Sequence, residues 1–141
     1  MKRIIALILV LLFAVCAAEE KVTIPSETYY FFVRSAELGE DLIFTEKPTI
    51  AMGIRMFDGS GDGFRTVFAN GSYAMFMTKA GTYKYWPFVA LIETVCEISE
   101  QEAAKAWYEV SVVSSPMYVN GWEVSYQNKY GNVTLIIEKY E

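Results

Sequence analysis

The chain predicts an all-β protein, an antiparallel β-sandwich of jelly-roll type with one short helix. Three observations carry that expectation. Turn signals recur at intervals of roughly 8–12 residues, the rhythm of a sandwich or barrel. Asn-Gly stands twice between alternating strand-like runs, at Asn70-Gly71 and Asn120-Gly121. Aromatic residues make up 16% of the 141 residues, and they gather with β-branched ones in short runs suited to a pleated surface.

The first 18 residues stand outside that fold. Lys2 and Arg3 give a basic start, residues 4–15 are wholly apolar, and Cys16-Ala17-Ala18 precede the acids Glu19 and Glu20. A basic n-region, a short apolar stretch and a small-residue cleavage site form a secretory signal peptide. An apolar stretch of that length is too short to span a bilayer, which takes about 20 residues. The expected working protein is therefore one domain, residues 19–141, secreted to an extracellular or periplasmic space, with no membrane insertion after signal removal. The alternative is a lipid anchor on Cys16. Val15 stands where a lipoprotein signal wants a small residue.

The elements follow in order. Residues 28–34 read as an aromatic strand, and residues 42–45 as a short one after the Gly39 turn. Residues 49–57 alternate clearly, which places Ile50, Met52, Ile54 and Met56 on one face, expected to be the core face. Residues 64–69 and 72–78 flank Asn70-Gly71, and residues 117–119 and 122–127 flank Asn120-Gly121. Each Asn-Gly pair predicts a hairpin whose two turn residues take positive φ. Residues 82–86 form a strand after Gly81, and residues 88–98 continue extended after Pro87. Ser99 and Glu102 make a capping box that starts the one helix, which ends near Tyr108. Residues 110–113 return to β, and residues 132–140 close the chain.

These runs also resemble a known family. Residues 29–33, 38–44, 54–58 and 80–85 are similar to the aromatic strand, glycine turn and Gly-Thr-Tyr rhythm of GOLD-type domains and of pre-peptidase C-terminal domains. The resemblance implies an extracellular β-sandwich that works as a non-catalytic module. The segment from Phe88 to Pro116 departs from both patterns.

Composition excludes several functions. Without Lys2 and Arg3, ten basic and seventeen acidic side chains leave a formal charge of −7. That balance opposes a nucleic-acid partner, which wants a basic stripe, and electrostatic docking on anionic lipid. There is no histidine, so the imidazole of serine and cysteine triads and of most zinc sites is missing. Cys96 is the one cysteine after residue 18. It reads as a buried thiol, with an intermolecular disulfide as the alternative.

Two constellations remain. Asp58, Ser60 and Asp62 set oxygen ligands at alternate positions before Gly63, the opening of a calcium loop. Ala69 then stands where the loop wants a bidentate acid, so a glycine-rich turn is the competing account and no cofactor is otherwise implied. Tyr85, Trp86, Tyr118 and Trp122 are the candidate binding residues, because Tyr and Trp combine large area with a polar tip. Asn70 and Asn132 begin glycosylation sequons. The function expected is a secreted, non-enzymatic binding or accessory module for an unidentified protein or glycan. The alternatives are a small carboxylate-dependent hydrolase and a self-associating envelope or structural protein.

Overall fold

The computed structural model describes residues 26–43, 49–59, 63–83 and 85–140. The signal-peptide reading of residues 1–18, with Cys16, lies outside the described residues. Within them the chain is mostly β, with three helices. Helix α1 (Ser26–Glu37) comes first. Strands β1 (Thr49–Ala51), β2 (Ile54–Asp58), β3 (Phe64–Ala69) and β4 (Tyr73–Lys79) follow as a meander. Helices α2 (Trp86–Cys96) and α3 (Glu100–Val113) then lead to β5 (Met117–Val119), β6 (Trp122–Lys129) and β7 (Asn132–Lys139). The seven strands form one antiparallel sheet in the order β1-β2-β3-β4-β7-β6-β5. The last strand thus returns to pair with β4, and both edges are only three residues long.

Strand alternation gives the sheet two unlike faces. Phe57, Phe64, Phe68, Phe76, Val124, Leu135 and Ile137 are buried on one face, and all three helices pack there. The layer opposite the apolar face is helical, and a second sheet does not occur among the described residues. Phe76 anchors this core. Its ring meets Phe31, Phe64, Tyr83 and Phe88 at centroid distances of 6.0, 5.6, 6.0 and 5.3 Å. Each such pair adds roughly 0.5–1.5 kcal/mol beyond its area burial.

Three segments expected to be extended are helical instead. Residues 28–34 lie in α1, including the aromatic run that carries the family resemblance. The buried set is Thr28, Phe31 and Ser35, while Tyr29 and Tyr30 are exposed, a spacing of three and four residues rather than two. Gly39, at φ +102°, lets the chain turn out of α1, and the Ser35 hydroxyl donates to the Glu40 carbonyl at 2.8 Å. Residues 88–96 lie in α2. There Pro87 to Ile92 are buried without interruption, and a run that is apolar all round does not reveal its period. Residues 110–113 belong to α3, since Val110 continues the buried stripe of Ala103 and Ala106. The capping box is present as expected. Ser99 Oγ accepts from the Glu102 amide at 3.3 Å, and the Ser99 amide donates to Glu102 Oε2 at 3.0 Å.

The run 49–57 differs in another way. Met52 and Gly53 take φ of 49° and 75°, so the run breaks into the β1–β2 hairpin. Register then sets Met56 opposite Val67 and Phe57 opposite Thr66. Phe57 and Arg55 face the helices, while Met52 is 91% exposed and Ile54 and Met56 lie on the open face. A single turn inverted the expected core face, because side chains alternate with period two.

Candidate functional site

Helix α1 presents Tyr29, Val33 and Glu37 at four-residue spacing, with Tyr30 and Arg34 alongside. This stripe faces Glu93, Thr94 and Glu97 of the C-terminal end of α2. Between them lies a groove of about 640 Å³, which Ile98 also lines. The Tyr29 and Tyr30 rings meet edge-on at 6.2 Å, and both residues are more than half exposed.

Arg34 clamps the groove. Its Nε donates to Glu93 at 2.9 Å, its Nη1 to Glu37 at 3.0 Å and its Nη2 to Glu100 at 2.7 Å. The Glu93 hydrogen bond, then that to Glu37, raises the Arg34 pKa above its ordinary value. One guanidinium thereby ties α1 to α2 and to the start of α3. Exposed pairs of this kind contribute about 0–1 kcal/mol each, so the half-buried Glu93 contact carries most of the tie.

A second hollow of about 190 Å³ adjoins the groove and shares Thr94 and Glu97 with it. Phe68, Val95 and Trp122 also line it. Glu97 stands at the junction, exposed and left-handed at φ 54°. The turn that carries Trp122 is docked against the same helix end, where the Asn120 side-chain amide donates to the Cys96 carbonyl at 2.6 Å. Cys96 itself is fully buried, and burial pushes its thiol up to about 12. An inaccessible, protonated sulfur is a poor nucleophile in this conformation, which favours the buried-thiol reading over the intermolecular alternative.

The expected aromatic residues are divided among three places. Trp122 lines the inner hollow. Tyr118 pairs across the sheet with Glu123 on the open face and meets the Tyr140 ring at 4.9 Å. A hydrogen bond to Glu123 raises the Tyr118 pKa. Tyr85 and Trp86 touch at 4.2 Å at the N-terminal end of α2. That is about 16 Å along the helix axis from Cys96, at 1.5 Å per residue. They therefore do not join Trp122 in one platform. Tyr29, Tyr30, Glu93 and Glu97 were not among the expected site residues. Their signal was the four-residue spacing of Tyr29, Val33 and Glu37, hidden by the strand-like composition of the run.

The calcium-loop candidate meets a different fate. Asp58 Oδ1 and Oδ2 accept from Arg65 Nε and Nη2 at 2.7 and 3.2 Å, and Asp58 raises the Arg65 pKa. Ser60 and Asp62 lie outside the described residues. The Gly59 amide donates to the Phe64 carbonyl at 2.7 Å, closing the β2–β3 connection as a hairpin. With both Asp58 oxygens engaged, a cation there competes with a bidentate guanidinium. Among the described residues no three His, Cys, Asp or Glu side chains cluster as metal ligands, and no helix is long and apolar enough to cross a membrane. No protein-family model, curated protein or solved structure matches the chain.

Proposed function

We propose that this protein is an exported, non-catalytic binding module whose ligand site is the cleft formed by the α1–α2 groove and the adjoining Trp122 hollow. One observation carries the reading. Two cavities meet at Thr94 and Glu97, walled by exposed tyrosines on one side and Trp122 on the other. Concave sites with aromatic walls and a few convergent polar groups are the usual form of a small-molecule site. Export rests on residues 1–18, and the intact mass of the protein from its host tests it. A chain starting near Glu19 supports export, and one that retains residues 1–18 opposes it.

The binding role is tested with a small-molecule library followed by amide chemical-shift mapping. Saturable shifts centred on Tyr30, Glu97 and Trp122 support it. A ligand whose shifts map only to the open sheet face or the β2–β3 end overturns the cleft as the site.

A second reading, self-association, draws on the open sheet face. Met56, Val67, Met75 and Ile136 align across β2, β3, β4 and β7 there. Sedimentation over a range of concentrations tests it, and a concentration-independent monomer mass removes it.

A further inference from the structure

The charge pattern of the cleft points to the chemistry of its ligand. We infer that the cleft takes a small organic cation, an ammonium head on a short apolar body. The inference rests on the cleft being the ligand site.

Four features agree. First, Glu37, Glu93 and Glu97 line the groove against the single cation Arg34, which leaves two negative charges uncompensated. Glu97 makes no ion pair among the described residues, so its carboxylate is available at the junction. Second, the C-terminal end of α2 opens here, and α2 has no basic side chain in its last turn. A helix C-terminus carries a partial negative charge that favours cations within the last turn. Third, Tyr29 and Tyr30 expose 56% and 62% of their surface, and tyrosine faces attract ammonium groups within about 6 Å of the ring centroid. Fourth, Val33 and Ile98 add apolar lining to the groove, and its size of about 640 Å³ lies in the range of whole small-molecule sites. An anion would meet the uncompensated carboxylates. A neutral molecule would gain hydrogen bonds from them but would leave their charge unneutralised.

The test is calorimetric titration of the intact protein with four probes: choline, its uncharged isostere 3,3-dimethyl-1-butanol, butylammonium and butyrate. Choline or butylammonium is expected to bind saturably, at least about tenfold more tightly than the alcohol or butyrate, a gap of about 1.4 kcal/mol. Salt is expected to weaken that binding. Glu97→Gln and Tyr30→Leu, each at an exposed position, are expected to lower cation affinity severalfold with an unchanged melting temperature. Equal binding of choline and its isostere, tighter binding of butyrate, or no binding of either ammonium probe overturns the inference. Mapping separates the two levels. A neutral or anionic ligand seated at Tyr30 and Trp122 sinks the cation assignment and leaves the binding module standing. A ligand seated elsewhere sinks both.

Discussion

Replacing Cys96 with alanine has a consequence that changes sign with pH. The thiol is fully buried, and burial raises its pKa from 9.0 to about 12. Below pH 9 the thiol is protonated in both the folded and the unfolded chain and contributes nothing to pH dependence. Between about 9 and about 12 only the unfolded chain ionises, so the unfolded state alone is stabilised. Stability then falls by about 1.4 kcal/mol per pH unit, roughly 4 kcal/mol over the whole window. Cys96→Ala removes this slope. It leaves a small cavity that costs about 1 kcal/mol at every pH. The wild type is therefore expected to be the more stable protein at neutral pH. The two curves cross about one pH unit above the onset of ionisation, and the variant is the more stable above that point. Partly buried tyrosines complicate either protein alone, since desolvation also raises the pKa of Tyr73, Tyr83 and Tyr126. They are common to both proteins, and the difference isolates the thiol. Urea unfolding across the alkaline range measures it. Parallel curves for wild type and Cys96→Ala would refute the reasoning, and so would rapid labelling of Cys96 by a thiol reagent in the native protein.

Three further outcomes are expected. Phe76→Ala removes a fully buried ring with four aromatic partners and should cost about 3–5 kcal/mol by denaturant unfolding. A loss under 1 kcal/mol would show that the core repacks around it. Met52→Asn and Tyr130→Asn place a residue tolerant of the left-handed region at φ 49° and 55°, at exposed turn tips. Each should raise stability by up to about 1 kcal/mol, seen as a higher urea midpoint at constant slope. Asn120→Gly keeps the turn conformation but loses the hydrogen bond to the Cys96 carbonyl. It should cost about 1 kcal/mol and speed amide exchange around the Trp122 hairpin, whereas unchanged exchange would mean that the bond does not dock the turn.

The legible parts of this chain were those with a local chemical cause. Asn120 and Gly121 take φ of 48° and 82° because few other pairs accept a two-residue turn of that hand. The same geometry at Met52-Gly53 and Tyr130-Gly131 was harder to read, since only the glycine advertised it. Ser99 and Glu102 likewise specify a helix start through two hydrogen bonds contained within four residues. The cleft was not legible in that way. Trp122 was singled out for its large area and polar tip, but nothing local says that its turn docks on the end of α2. Tyr29 and Tyr30 looked like strand residues, because aromatics suit a pleated surface as readily as an exposed helix face.

By itself the sequence determined the two Asn-Gly hairpins, the capped start of α3, the acidic balance and the lack of any imidazole. Each follows from one residue type or a spacing of a few positions. The tertiary structure alone decided that residues 26–37 and 86–96 are helical, which face of β2 enters the core, and which acids meet Arg34. Apolar runs such as Phe88–Ile92 satisfy a buried helix and a buried strand equally well. The choice falls to whichever arrangement buries Phe31, Phe88 and Phe76 against one another, and that is a property of contacts between distant segments.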